Sequence, residues 1–140
     1  MKKLPIIIFT IIITSSVIEA QDENLIKNSL NTIFTLSITK NYEKAAEFIA
    51  YSGSDSSRYW TDTYKSSDKE ELNQVKRICK KIAALNEISD KYKVTSITTK
   101  KINNVTVYSV GVNFISGQQQ LKTELDFIKL GNKYILTEMN

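Results

Sequence analysis

Histidine is absent from the 140 residues, and cysteine occurs once, as Cys79. Without an imidazole the chain lacks the usual base of serine and cysteine triads, the commonest zinc ligand, and the side chain that titrates nearest neutral pH. Aspartate, glutamate, lysine and tyrosine can still move protons, but each needs a pKa displaced by burial or by a neighbouring charge. No catalytic residue, metal ligand or cofactor is therefore assigned. A single cysteine excludes an internal disulfide, so the stability that bridges give many small exported domains must come from a core. Cys79 falls on one helical stripe with Leu72, Val75, Ile78, Ile82 and Leu85 and reads as a small buried hydrophobe.

The chain does carry an address. Lys2 and Lys3, the almost wholly apolar Leu4 to Ile13, the polar Thr14, Ser15 and Ser16, and the small Ala20 are the parts of a secretion signal, with cleavage expected after Ala20. The apolar run is closed by Glu19 before it reaches the roughly 20 residues that a spanning helix needs, so no membrane anchor is expected after cleavage. No cysteine follows it to accept a lipid. The working protein is then residues 21–140, in the periplasm or outside the cell, and its length suits one domain. Setting aside Lys2, Lys3 and Glu19 leaves 17 basic and 14 acidic residues, a charge of +3 that reads as solubility.

The hydrophobic period changes once along this domain. Ile26, Leu30, Ile33, Phe34 and Ser37 recur at three- and four-residue steps, which predicts a first helix that Asp22 can cap. Asn41 can cap a short second helix with the apolar face Tyr42, Ala45, Ala46 and Ile49. Ser67 and Glu70 form a capping-box pattern for a longer third helix running to about Asp90. Its outward Lys76, Arg77, Lys80 and Lys81 read as a solvated face. No aromatics are interleaved with them to stack bases, so no nucleic-acid partner is expected. Four strands follow, near Tyr92 to Thr99, Val105 to Ile115, Gln120 to Lys129 and Lys133 to Glu138. Asn103-Asn104, Gly117 and Gly131-Asn132 supply their turns. Leu121, Leu125 and Phe127 alternate with Lys122, Glu124 and Asp126, and Tyr108, Val110, Val112 and Phe114 with Ser109, Gly111 and Asn113; Gly111 can mark a bulge or bend.

Three helices before four antiparallel strands predict an α+β domain with the helices on one face of the sheet. This order, with the short helix Asn41-Tyr42-Glu43-Lys44-Ala45-Ala46-Glu47-Phe48-Ile49, a polar aromatic segment and a longer helix, resembles small exported bacterial domains of the nuclear transport factor 2-like, or cystatin-like, superfamily. The resemblance covers about Asp22 to Met139. It implies a curved half-cone sheet around a long helix, an apolar cavity between them, and a homodimer formed through the sheet face. Catalytic members place a carboxylate beside a histidine or tyrosine in that cavity. With no histidine here, none of their catalytic residues carries over.

Residues 51–66 depart from every regular period. Tyr51, Tyr59, Trp60 and Tyr64 give flat amphipathic surface, and Arg58 a bidentate cation for a carboxylate or phosphate. The alternative is that Trp60 and a tyrosine plug the core while Arg58 pairs with Asp55 or Asp62. Tyr51, Arg58, Trp60, Tyr64, Tyr108 and Phe127 are the candidate ligand-binding residues. The functional expectation is an exported, non-enzymatic binding domain for a small molecule or a protein segment. The competing expectation is a hydrolase or isomerase that works with a carboxylate and a tyrosine.

Overall fold

The computed structural model describes residues 18–140, so residues 1–17 of the expected signal lie outside the described residues. Helix α1 (Ala20–Ile38) buries Ile26, Leu30, Ile33, Phe34 and Ser37, the stripe its spacing predicts. It begins before Asp22, which sits inside the first turn. The N-cap position is Glu19, whose side chain makes no capping bond, and the Asp22 carboxylate accepts a hydrogen bond from the Tyr134 hydroxyl at 2.7 Å. The far end closes with Lys40 in the left-handed region (φ 59°), with Asn41 N–H bonded to the Leu36 carbonyl and Lys40 N–H to that of Ser37. Asn41 then caps α2 (Tyr42–Ala45) through the Lys44 N–H, as expected, and the chain tightens into a 3₁₀ turn (Ala46–Phe48).

Helix α3 (Lys69–Glu87) starts one residue later than a Ser67 cap would set it. Asp68 is its cap, accepting from Glu71 N–H at 3.0 Å, which frees Glu70 from a capping role. Val75, Cys79 and Ile82 are fully buried against α1. Burial pushes the Cys79 thiol pKa up, and a hydrogen bond with Ser37 opposes part of that rise.

The strands β1 (Lys91–Ile102), β2 (Val105–Ser116), β3 (Gln119–Leu130) and β4 (Lys133–Met139) form a curved antiparallel meander in sequence order. Asn103 and Asn104 take φ 48° and 65°, and Gly117 and Gly131 both take φ 58°, the conformations for which these turn residues are suited. The irregularity expected at Gly111 falls on the neighbouring strand. The register of β1 slips between Val94 and Ser96, opposite Gly111 and Val112, and Thr95 and Ser96 lean their hydroxyls over Gly111 where a Cβ would otherwise stand.

One sheet face and the helices enclose the main core. Leu125, Phe127, Tyr134 and Leu136 lie there at 1 % exposure or less, in one cluster with Ile26, Leu30, Ile33 and Val75. The opposite face departs from the expected wet alternation. Val107, Ile128 and Ile135, which alternate with core-facing neighbours, form a second apolar cluster there with Ala50, partly covered by Trp60. Ser109 and Asp126 are buried on this face too, the Ser109 hydroxyl donating to Asp126 at 2.7 Å and Lys100 lying 3.1 Å from the same carboxylate.

Candidate functional site

The route of the chain between α2 and α3 decides how the candidate residues meet. Ile49 bridges Leu136 in parallel at the outer edge of β4, and Ala50 N–H bonds the Leu136 carbonyl at 2.8 Å. From that edge the segment 51–66 spreads over both sides of the sheet. Tyr51 and Tyr64 turn into the main core, each 7 % exposed, with ring centroids 5.4 Å apart. Trp60 goes to the second cluster on the opposite face.

Arg58 sits between these two, and its donors are committed. Its Nε donates to Asp62 at 2.9 Å, Nη1 to Glu71 at 2.6 Å, and Nη2 to Glu71 at 3.1 Å and the Thr63 carbonyl at 3.0 Å. The guanidinium carbon lies 4.1 Å from the centre of the Tyr51 ring. Glu71 also accepts the Lys65 N–H at 2.6 Å, so one side chain from the first turn of α3 holds both ends of the segment's second half. These bonds hold the Glu71 and Asp62 carboxyls below the usual carboxylate range, the bond with Arg58 contributing most in each case. They raise Arg58 further above its ordinary value. The expected pairing with Asp62 is present. The Asp55 carboxylate instead accepts from Ser57 N–H and its hydroxyl and feels the Arg58 guanidinium only as a nearby charge, while the Arg58 backbone N–H donates to the Asp55 carbonyl at 3.1 Å. Arg58 is a brace between the segment and α3, and its fork faces carboxylates of its own chain.

Trp60 carries two irregularities. Its backbone is left-handed at φ 58°, and its Nε1 is buried with no hydrogen-bond partner. Tyr59 stacks on it at 5.5 Å and remains 47 % exposed. Tyr108 and Phe127 are cross-strand partners in the main core, with Phe127 fully enclosed and Tyr108 edge-on to Tyr134 at 5.1 Å. The structure thus gathers Tyr51, Arg58 and Tyr64, places Tyr108 and Phe127 elsewhere in the same core, and sends the Trp60 side chain to the other cluster, although its backbone N–H bonds the Tyr51 carbonyl at 2.9 Å. The cavity expected among Tyr108, Leu125, Phe127 and Trp60 is not formed: Leu125 and Phe127 have no exposed surface, and Trp60 is on the other face.

Two contacts were not legible in the sequence. Glu71 is thirteen residues from Arg58, and only the fold brings them together. Asp22 and Tyr134 are 112 residues apart, and Lys129 approaches the same carboxylate at 3.7 Å. Tyr134 is the nearest approach to the carboxylate–tyrosine arrangement of an enzyme. Burial, more than any other influence, drives its hydroxyl pKa upward, which keeps it protonated and unsuited to act as a base.

No family model matches the chain, and no curated protein matches it significantly. Among solved structures, it is similar to a Campylobacter jejuni protein provisionally named an NTF2-like transpeptidase, at 14 % identity and a TM-score of 0.47, covering 83 % of this chain and 96 % of that one. It is also similar to a substituted variant of the protein named Rd1NTF2_05, at 15 % identity and a TM-score of 0.43, covering 85 % of this chain and 98 % of that one. The α+β architecture itself is that of three helical segments N-terminal to an unclosed four-stranded antiparallel sheet.

Proposed function

We propose that this chain is an exported, non-enzymatic interaction domain that binds a polypeptide at its surface. The observation that carries this reading is the filled interior. The space between sheet and helices, where an apolar ligand would lodge, holds Leu125, Phe127, Tyr134 and Leu136 at 1 % exposure or less. Arg58, the cation of the aromatic segment 51–66, has its donors bonded within the chain. The concavities that remain are open grooves on the surface. One of about 630 Å³ runs along the helices, and another of about 610 Å³ lies at the end of the sheet beside Ile88, Phe114 and Leu121. Ile88 and Leu121 are 68 % and 49 % exposed there, surface that binding would remove from water.

Export belongs to the same reading, with the mature chain starting at Gln21. Asp22 and Glu23 would then stand in the first turn of α1, where carboxylates favour a helix N-terminus. Native mass spectrometry of the protein released from its own cell envelope tests the whole proposal. The expected spectrum shows a chain starting at Gln21 with a polypeptide in the complex. A retained N-terminal segment would overturn export, and a stoichiometric small molecule would overturn surface binding of a polypeptide.

A further inference from the structure

Taking the interaction reading as its basis, we infer that the groove formed by the C-terminal end of α1, the start of α2 and the second half of α3 docks an acidic amphipathic helix of a partner protein. Ile38, Tyr42, Ala83 and Ala84 supply its apolar lining, and Lys40, Lys80 and Glu87 its charged positions. Ile38, the last residue of α1, is 55 % exposed. The alanines matter because a side chain no longer than a methyl lets another helix approach closely. From Lys80 to Glu87 the floor extends about 10 Å at 1.5 Å per residue, the reach of anchors at i, i+4 and i+7 on a facing helix.

Charge selects the sign of the partner. Lys40 and Lys80 border the groove, Lys76 lies 5.9 Å over the Tyr42 ring, and Arg77 and Lys81 extend the same basic face of α3. Among the described residues none of these five cations forms an ion pair, and Glu87 is the one acidic group lining the groove. Lys80, from the cluster that reads as a solvated face, therefore also stands at the rim of an apolar trough. A second copy would bring the same cations to face each other, which disfavours self-association here. A flat anionic membrane would meet the lysines but leave the concave floor empty. An acidic helix satisfies both.

The test uses a fluorescent sixteen-residue helical peptide with leucines at three- and four-residue steps and glutamates flanking them, titrated by anisotropy into the purified protein. Saturable binding is expected, weakened about tenfold by Lys40→Glu with Lys80→Glu, and weakened again as added salt shortens the Debye length below about 8 Å. Ala84→Arg, a substitution at an exposed position, is expected to leave the far-UV circular dichroism unchanged and to abolish binding. Absence of saturable binding, equal binding of the peptide with lysines in place of glutamates, or a variant-sensitive preference for anionic phospholipid vesicles would each overturn the inference. A photo-crosslinker at position 84 or, separately, at Thr98 on β1 distinguishes the two levels of the argument in the cell. A polypeptide adduct at Thr98 alone overturns the groove and keeps the interaction reading, whereas no adduct at either position together with a co-purifying small molecule overturns both.

Discussion

The chemistry of Arg58 depends on what stands around it. An arginine among aromatics and small polar residues has the composition of a recognition patch, and Tyr51, Arg58 and Tyr64 do come together. The fork is turned inward because Glu71 arrives from another element, a pairing that no local pattern encodes. The resulting stack makes Gly53 a position with no spare room. A Cβ there would lie 2.5 Å from the Tyr51 hydroxyl oxygen and 2.6 Å from its ring carbon Cζ. Tyr51 is pinned from two other directions, by Arg58 at 4.1 Å and Tyr64 at 5.4 Å, so it cannot retreat freely. Gly53→Ala is expected to destabilise the domain by about 1–3 kcal/mol, the usual range for overpacking. Equilibrium urea unfolding measures it; a variant as stable as the parent would show that the ring swings aside at no cost.

At the scale of elements, the segment 51–66 is a unit fastened by charge. Asp62 and Glu71 have folded pKa values below their ordinary 3.8 and 4.5. Their contribution is thus fully present above those ordinary values and is lost as pH falls through the folded ones. The chain contains one tryptophan, and it lies in this segment, so its fluorescence reports on the seating of the segment against the sheet. Emission from Trp60 is expected to be blue-shifted near neutral pH and to move to the red between about pH 4 and pH 2, ahead of any loss of far-UV circular dichroism. Coincident changes in the two signals would show that the segment has no independent fastening. Most regular elements were legible beforehand, because each was written in a local code: the stripe from Ile26 to Ser37, the Asn41 cap, and the Asn103-Asn104 and Gly131 turns. The errors came where two local codes competed or a distant partner intervened. Asp68 displaced Ser67 as the cap of α3, and α1 begins at Ala20, which puts Asp22 inside the first turn, where it accepts from the distant Tyr134.

At the scale of the molecule, the sheet is covered on both faces at one end, and that is what alternation along a strand could not disclose. Lys122, Glu124 and Asp126 share a side in the sequence pattern, yet Asp126 is 2 % exposed while Ser109 and Lys100 meet its charge. Which side of a sheet stays wet depends on where a connecting segment travels, and the crossing at Ile49–Ala50 past the edge of β4 sends Trp60 to the face expected to be bare. The other side is occupied by its own side chains, a claim with a direct consequence. Phe127 has no exposed surface, so truncation to alanine is expected to cost about 3–5 kcal/mol and to leave an apolar void. Such voids stay dry and admit benzene, and a ligand that binds only the folded state raises its melting temperature. Benzene is accordingly expected to raise the melting temperature of Phe127→Ala and to leave that of the parent unchanged, with Leu125→Ala as the milder variant should Phe127→Ala fail to fold. Stabilisation of the parent itself would mean that a hollow already exists between sheet and helices, and a small apolar ligand would then replace a polypeptide as the molecule this domain holds.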